Sequence, residues 1–210
     1  AGTMGQQIGF LCAMHGYNVT MYDISEDILK ASVARMEKLG SLWFVRINRI
    51  TPEQLKEIMS RITATSDAKT AARNADLISE SVPEDPKLKG KIFAQFNTLC
   101  PKRTIFTTNT SLLMPSKFAE ATGRPGKFAA LHFHDVRTTN VVDVMPHPGT
   151  DKAVTTLVHD FAVSIGQIPI MLHRESNGYV FNAMLSNLFM TALNLVTKDV
   201  ASIEDVDRAW

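Results

Sequence analysis

The sequence has 210 residues, of which 45% are hydrophobic and 20% are charged, and its 22 basic side chains nearly balance its 21 acidic ones. The charge balance excludes an electrostatic nucleic-acid binder, and the hydrophobic content excludes a disordered tail. A chain of this length buries most of the surface that its unfolded form exposes, so its core requires no disulfide or metal. These properties indicate an ordinary soluble globular protein of one domain and part of a second.

The two cysteines, Cys12 and Cys100, show no repeated spacing of the kind that a disulfide framework or a zinc site requires. We interpret both as core thiols in a reducing compartment, and the expected location is cytoplasmic. The longest apolar stretch, 179–196, is interrupted by polar side chains, and no basic segment followed by an apolar one opens the chain. The sequence therefore predicts neither a membrane protein nor a secreted one.

Short β-rich segments alternate with segments of helical periodicity, and this order favours a parallel sheet covered by helices. The predicted strands are 18–23, 62–65, 77–82, 104–108, 128–132, 141–144 and 168–172. The predicted helices are 4–15, 25–39, 52–60, 87–98, 115–121 and 151–165. Beyond Gly178, a long apolar helix to about Thr197 and a capped helix start at Ser202 indicate the opening of a helical second domain, and we expect the long helix to be buried on more than one side.

The chain opens with Ala-Gly-Thr-Met-Gly, which fits the second half of the pattern G-x-G-x-x-G, with Gly2 and Gly5 as its second and third glycines. In that pattern Gly2 lets the backbone approach a pyrophosphate, Gly5 lets the helix pack close to the sheet, and the helix N-terminus at Thr3 and Met4 supplies amide donors. Gly-x-x-Gly also occurs in ordinary turns. The added signal is Asp23, which ends a predicted strand where a carboxylate binds a ribose 2′-hydroxyl, and no arginine follows it, so NAD is favoured over NADP.

The first glycine of that pattern and the strand before it are absent from the sequence, and a doubly wound sheet without its central strand would have two exposed edges. We therefore expect the sequence to be part of a longer molecule at both ends. The predicted organisation is a Rossmann-type doubly wound α/β domain at 1–174, without its first strand and first glycine. The start of an all-helical C-terminal domain for substrate binding and dimerisation follows at 175–210.

Two predicted strands end in polar side chains at the carboxyl edge of the sheet, where ligands bind in open α/β folds. One leads into Asn109-Thr-Ser111, and the other delivers His132, with Asp143 following after a further apolar segment. A histidine held by a carboxylate is a general acid/base whose tautomer is fixed. Taken singly, the first segment is equally typical of an ordinary strand end, and a lone histidine at a strand end is more often a structural residue.

Two further motifs remain open to more than one interpretation. His132-Phe-His134-Asp135 fits half of a metal site, but the sequence shows no third ligand cluster, so no metal is predicted. Asn182 follows a capped turn that begins at Asn177, and we place it about one turn inside the long apolar helix. An amide there can hold a substrate oxygen beside His132, or it can be a solvated or packing residue.

Taken in order, these motifs resemble the L-3-hydroxyacyl-CoA dehydrogenase family, including its 3-hydroxybutyryl-CoA members, along essentially the whole chain. The matching segments are Gly2-Thr-Met-Gly5, Asp23, Asn109-Thr-Ser111, Leu131-His132-Phe133 and Gly178-Tyr-Val-Phe-Asn182. The resemblance implies that His132 takes the 3-hydroxyl proton while hydride leaves C3 for the nicotinamide, with Asp143 as its partner. It also implies that Ser111 and Asn182 hydrogen-bond the substrate oxygen.

The same resemblance implies an NAD cofactor, an acyl-CoA substrate, a place in fatty-acid metabolism and a homodimer formed through the helical C-terminal region. Glu84 matches the family's acidic residue at the cofactor edge, and Lys89 matches a lysine near the bound nucleotides. The full set of implied cofactor contacts is Gly2, Thr3, Met4, Gly5, Asp23, Glu84, Lys89 and Asn109.

The sequence departs from the family after the histidine. The family has a Phe-Phe-Asn-Pro-type loop and a glutamate partner, whereas here the loop is one residue shorter and the partner is Asp143, which needs a backbone shift to keep hydrogen-bond reach. The segment 142–150 is also similar to the L-gulonate dehydrogenase and λ-crystallin branch, which acts on a hydroxy acid without CoA.

The predicted function is NAD-dependent oxidation of a short-chain L-3-hydroxyacyl-CoA to the 3-ketoacyl-CoA, or the reverse reduction. One alternative is a dehydrogenase of L-gulonate or another 3-hydroxy acid. The other is a nucleotide-binding relative that keeps the fold without turnover.

Overall fold

The computed structural model describes residues 1–210, in which strands and helices alternate. The strands are β1 (Val19–Tyr22), β2 (Ile62–Thr65), β3 (Leu77–Glu80), β4 (Ile105–Thr108), β5 (Phe128–Phe133), β6 (Val141–Pro146) and β7 (Ile168–Met171). The helices are α1 (Thr3–Met14), α2 (Glu26–Gly40), α3 (Pro52–Ser60), α4 (Ala68–Ala72), α5 (Pro86–Leu99), α6 (Lys152–Ser164), α7 (Phe181–Thr197) and α8 (Ile203–Ala209). All seven predicted strands are confirmed to within two residues at each end.

The strands form two sheets. Strands β1 and β2 pair in parallel, and the other five form a sheet of order β3-β4-β5-β6-β7. Every pair in the larger sheet is parallel except β5 with β6, which is antiparallel. The predicted α/β class is confirmed, but the sheet is not parallel throughout. Only residues 134–140 separate β5 from β6, and a parallel crossover needs a dozen residues or more, so the chain must turn back.

Capping side chains fix where several helices begin. The Thr51 hydroxyl accepts from the Gln54 amide at 3.2 Å, and the Gln54 side chain accepts from the Thr51 amide at 2.8 Å, which makes a capping box at the start of α3. At α5 the Asp85 carboxylate accepts from the Lys87 amide at 2.8 Å, and Pro86 occupies the first helical position. Both helices therefore start within one residue of the predicted position.

Three short segments differ from the prediction. The predicted helix 115–121 is wrong, because the chain forms separate 3-10 turns at Pro115–Lys117 and Glu120–Thr122. Between these turns Phe118 and Ala119 are drawn into the core beneath α5, and this interrupts a regular helix. The five-residue helix α4 and the π-helical turn Ser41–Val45 were not predicted, since elements of this length carry little periodicity.

The core divides into apolar clusters on the two faces of the sheet. Leu131 and Phe133 of β5 and Val142 and Val144 of β6 pack in one cluster with α1 and α6. Successive side chains of a strand point to opposite faces, so the intervening His132 of β5 lies on the other face. A second cluster there is aromatic and centres on α5, β4 and the first residue of β5. A third joins α1, α2, α3 and β1.

The two cysteines and the C-terminal helices complete the fold. Cys12 and Cys100 are both free and buried, which confirms them as core thiols, and burial raises the pKa of Cys12 to about 12. No residue of α7 is buried within these 210 residues, and the covering of this helix on more than one side stays a prediction. None of the helices combines the length and the apolar character that crossing a bilayer demands.

The aromatic cluster beneath β4 provides a test of the fold. Phe93 is fully buried, and its ring lies 5.5 Å from that of Phe106 and 5.0 Å from that of Phe128. We expect Phe93→Ala to lower the free energy of unfolding by about 3–5 kcal/mol, because it leaves a cavity between three elements. Urea unfolding followed by circular dichroism measures the loss. Leu157→Ala, at a side chain 55% exposed, is the control and should change stability by less than about 0.5 kcal/mol.

Candidate active site

The antiparallel pairing of β5 with β6 places His132 directly opposite Asp143. Both side chains are buried, and Nδ1 of His132 lies 3.1 Å from Oδ2 of Asp143, within hydrogen-bond reach. The short aspartate side chain therefore contacts the imidazole, because the two residues are cross-strand partners whose side chains share one face. The structure thus brings together the histidine and carboxylate that the sequence predicts.

Burial by itself raises the pKa of the Asp143 carboxyl. Hydrogen bonds from His132 and His134, together with the charges of the two rings, outweigh burial and hold this pKa below its ordinary value. Asp143 is therefore ionised near neutral pH. An ionised carboxylate beside Nδ1 fixes the histidine tautomer and stabilises the imidazolium form.

A second histidine binds the same carboxylate oxygen. Nε2 of His134 lies 3.1 Å from Oδ2 of Asp143, while Oδ1 of Asp143 is buried and has no hydrogen-bond partner. Asp135, which follows the two histidines in the sequence motif, lies instead in an ion pair with Arg137. The third member of the cluster is Asp143, which is distant in sequence and comes from the neighbouring strand.

The turn before α7 packs against both histidines. The ring of Tyr179 stacks on His132 with centroids 4.7 Å apart, and the ring of Phe181 meets His134 edge-on at 5.0 Å. Gly178 and Tyr179 have φ values of 74° and 55°, the left-handed conformation that this turn requires. Asn182 is the second residue of α7, so its predicted place about one turn inside the helix is wrong. A left-handed residue at Tyr179 delays the start of the helix.

Hydrogen bonds to Asn109 and Glu84 hold the loop after β4 in place. Oδ1 of Asn109 accepts a hydrogen bond from the Phe133 amide at 2.7 Å and so ties the end of β4 to the end of β5. Oε1 of Glu84 accepts from the Ser111 amide at 2.9 Å, and it also accepts from the Thr110 hydroxyl. The Ser111 side chain is exposed on this loop. Glu84 therefore positions the loop that carries Ser111.

A buried ion-pair network lies beneath that loop. The Lys89 ammonium, 1% exposed, lies 2.8 Å from Oε1 of Glu80 and 3.2 Å from Oε2 of Glu84. Oε2 of Glu80 accepts from the Thr108 hydroxyl at 2.6 Å. Burial by itself raises the pKa of Glu84. The Thr110 hydrogen bond and the Lys89 charge lower it by more, so the pKa lies below its ordinary value. Glu80 was not predicted, and its one signal in the sequence is a carboxylate at the end of an otherwise apolar strand.

The start of α1 is the segment that the sequence predicts to bind a pyrophosphate. Gly2 is the N-cap residue, no side chain caps the helix, and no atom lies within 4 Å of the position that a Cβ of Gly2 would occupy. The helix therefore offers free amides and open space to an anion. A Cβ on Gly5 would make only ordinary contacts at 3.8 Å or more, whereas one on Gly9 would lie 2.8 Å from Sδ of Met21. The close approach of helix to strand falls at Gly9 rather than at Gly5.

The carboxylate predicted to bind the ribose lies just beyond β1. Oδ1 of Asp23 accepts a hydrogen bond from the Ser25 amide at 3.2 Å. Thr3 is exposed and Met4 is partly buried in the first turn of α1. An uncapped helix N-terminus, a glycine with open surroundings and a strand-end carboxylate suit the pyrophosphate and ribose of a dinucleotide.

This arrangement defines a dinucleotide-dependent oxidoreductase of the Rossmann type. Residues 1–176 match the family described as 3-hydroxyacyl-CoA dehydrogenase, NAD binding domain. The chain is 30% identical to the human mitochondrial hydroxyacyl-coenzyme A dehydrogenase, over 99% of this chain and 68% of that protein. The chain belongs to the 3-hydroxyacyl-CoA dehydrogenase family, and its cofactor is NAD. Both the predicted family and the predicted cofactor are confirmed.

Two other similarities describe the breadth of the family. The chain is 29% identical to the human lambda-crystallin homolog, over 99% of this chain and 65% of that protein. It superimposes with a TM-score of 0.94 and 38% identity on a structure described as "Substrate-directed dual catalysis of dicarbonyl compounds by diketoreductase". That match covers all of this chain and 74% of the other.

The buried ion-pair network predicts a specific pattern of stability changes. Lys89→Met leaves Glu80 buried without its cation, and we expect a loss of about 3–5 kcal/mol in the free energy of unfolding. The double variant Lys89→Met, Glu80→Gln removes both charges and should recover part of that loss. Urea unfolding of the single and double variants tests this. Lys91→Met, at an exposed position of the same helix, is the control, and a loss equal to that of Lys89→Met would contradict the expectation.

The hydroxyl of Tyr179 provides a test of opposite sign. It is buried without a hydrogen-bond partner, and burial together with the nearby carboxylates of Glu84 and Asp143 raises its pKa. We expect Tyr179→Phe to stabilise the protein by about 1 kcal/mol, because an unsatisfied buried polar group is removed. Thermal unfolding measures the change. Tyr17→Phe is the matched control, since the Tyr17 hydroxyl lies 2.7 Å from that of Ser164, and it should not stabilise.

Proposed function

We propose that this protein oxidises a short-chain L-3-hydroxyacyl-CoA, such as 3-hydroxybutyryl-CoA, to the 3-ketoacyl-CoA, and catalyses the reverse reduction. The observation that supports this most directly is the buried pair of His132 and Asp143, joined through Nδ1 at 3.1 Å. With Nδ1 engaged, Nε2 is the nitrogen that exchanges a proton with the substrate. This is the arrangement that oxidation of an alcohol requires of a general base.

The proton then moves between the substrate 3-hydroxyl and Nε2 of His132. In the oxidative direction the imidazole becomes an imidazolium, which the Asp143 carboxylate stabilises, and in the reductive direction the imidazolium returns the proton. Ser111 and Asn182 are proposed to hydrogen-bond the substrate oxygen. Glu84 accepts a hydrogen bond from the Ser111 backbone amide, which supports the role of Ser111. Asn182 is next in sequence to Phe181, whose ring packs on His134, and this supports the role of Asn182.

NAD, when bound, supplies the acceptor for the hydride that leaves C3. The proposed pyrophosphate ligands are the backbone groups of Gly2, Thr3, Met4 and Gly5 at the start of α1, and Asp23 is proposed to bind the ribose hydroxyls. Glu84 and Asn109 are proposed to line the nicotinamide end. Lys89 is proposed to act there through Glu84, because its ammonium is buried against that carboxylate.

A second candidate substrate is a free hydroxy acid without CoA. The similarity to the lambda-crystallin homolog favours it. A CoA enzyme should offer basic groups at the substrate mouth, and the nearest set in the sequence is Lys87, Lys89 and Lys91. Burial removes Lys89 from that set, whereas Lys87 and Lys91 are exposed on α5. These two exposed lysines favour the CoA substrate over the free hydroxy acid. They are the groups that a CoA substrate would need and a free hydroxy acid would not.

We further propose that the active protein is a cytoplasmic homodimer formed through the helical C-terminal region. The exposed apolar side chains of α7 support the dimer, since Met184, Phe189 and Met190 are each more than half exposed. Two free buried cysteines support a reducing location.

The proposed chemistry is tested by a substrate panel on wild type and His132→Ala. We expect wild type to form NADH from 3-hydroxybutyryl-CoA and to consume it with acetoacetyl-CoA. We expect His132→Ala to lower kcat by about 10²–10⁴-fold, the usual contribution of a general acid/base, with NAD affinity retained. NADH absorbance measures the rates, and protein fluorescence measures NAD binding. His159→Ala, at a partly exposed histidine of α6, is the matched control.

Each other outcome has a defined meaning. Turnover of L-gulonate alone would transfer the proposal to the free hydroxy acid. An unchanged rate in His132→Ala would remove His132 as the acid/base. NAD binding without turnover of either substrate class would indicate a relative that keeps only the nucleotide site.

A further inference from the structure

We propose that His132, His134 and Asp143 form a binding site for a divalent transition-metal ion of the zinc type, and that occupancy of this site switches off the acid/base function of His132. The metal-binding part stands on the geometry of the three side chains. The inhibitory part rests on the proposed function.

The three ligand atoms are already close to the spacing of a zinc site. Nδ1 of His132 and Nε2 of His134 each lie 3.1 Å from Oδ2 of Asp143, and the three residues offer ligand atoms within 4.8 Å of one another. Ligands at about 2.0–2.2 Å from a tetrahedral ion stand roughly 3.3–3.6 Å apart. Two of the three distances are therefore a few tenths of an ångström short of this spacing, and the third, between the two histidine nitrogens, is within 4.8 Å. Imidazole and carboxylate together form a donor set that Zn²⁺ binds.

The surroundings hold these ligands in place. His132 and Asp143 sit on paired strands, and the rings of Tyr179 and Phe181 pack against the two imidazoles. Oδ1 of Asp143 is buried with no partner, so the carboxylate has unused acceptor capacity that a bound cation would engage. A site whose ligands are fixed by packing has little conformational entropy left to lose when the ion binds.

The cluster also leaves an open coordination position. Asp135, the nearest other carboxylate in the sequence, is paired with Arg137 and does not contribute a fourth ligand. His134 is the most exposed of the three, with 12% of its side chain accessible, and it provides the route for the ion. Three protein ligands with one position left for water are typical of a zinc site that is not purely structural.

Metal binding and acid/base function exclude each other through the histidine tautomer. In the hydrogen-bonded pair, Nδ1 of His132 carries the hydrogen and Nε2 has a free lone pair. Coordination through Nδ1 moves the single hydrogen of the neutral ring to Nε2, with no change in electron count. Nε2 then cannot accept the proton of the substrate hydroxyl. His134 undergoes the corresponding shift from Nε2 to Nδ1.

Metal affinity and inhibition are measured separately on the full chain. After removal of metal by a chelator, equilibrium dialysis against Zn²⁺ is expected to give one ion per chain in wild type. The variants His134→Phe and Asp143→Asn should bind on the order of tenfold more weakly or worse, since loss of even an outer-shell partner has that effect. His134→Phe keeps an aromatic ring against Phe181. His159→Ala is the control and should bind as wild type does.

A second readout is independent of turnover. Co²⁺ in place of Zn²⁺ should show the intense visible absorption of a tetrahedral site in wild type, and this absorption should be lost in His134→Phe. In rate assays, Zn²⁺ should inhibit wild type at concentrations that match its dialysis affinity. With each rate expressed relative to that protein's own metal-free rate, His134→Phe should require at least about tenfold more Zn²⁺.

The outcomes separate the metal site from the proposed reaction. Equal zinc affinity in wild type and His134→Phe would overturn the site, whatever the enzyme turns over. Zinc bound through His134 with no effect on the rate would support the site and overturn the inhibition. If none of the substrates is turned over, the dialysis and Co²⁺ spectra still decide whether the site exists.

Discussion

The antiparallel pairing of β5 with β6 is the constraint on which the candidate site depends. A slip of one residue in this pairing would move every side chain of β6 to the opposite face. Asp143 would then enter the apolar cluster that Val142 and Val144 form with α1 and α6, and an unpaired carboxylate there would be strongly destabilising. The packing of one face of β6 therefore holds the acid/base pair together on the other. In this way the stability of the core and the geometry of the site are set by the same register.

A second constraint acts at the neighbouring strand ends. The carboxylates of Glu80 and Glu84 both pair with the buried ammonium of Lys89. Each carboxylate also binds a residue at the end of β4 or in the loop that follows it. Glu80 holds Thr108 at the end of β4, and Glu84 holds the amide of Ser111 three residues later. Buried charges of this kind contribute little net stability compared with apolar side chains, but they tolerate only one arrangement of their partners. The network consequently fixes the loop beside His132 more strictly than apolar packing would.

The elements with regular periodicity were predictable from the sequence, and the contacts between them were not. All seven strands, Asp23 and the pairing of His132 with Asp143 follow from strand ends and apolar alternation. The antiparallel direction of β6 depends on the length of the loop between β5 and β6, and the alternation of strands and helices does not reveal that direction. The sharing of one carboxylate oxygen by His132 and His134, and the burial of Lys89 against Glu80, depend on which strands become neighbours. The late start of α7 depends on a left-handed residue at Tyr179, which a one-dimensional pattern does not encode.

The position of Asp143 on β6 determines its contacts with both histidines. Asp143 is fully buried and directly opposite His132, so its carboxylate reaches Nδ1 without any side-chain extension. A longer acid at this position would have to fit an extra methylene into a packed face, which costs about 1–3 kcal/mol in cores of native density. The same close opposition leaves the carboxylate within reach of a second imidazole, which the loop supplies two residues after the first. The position of Asp143 directly opposite His132 therefore explains how a short acid reaches the first imidazole. It also explains how a single oxygen of Asp143 contacts both rings.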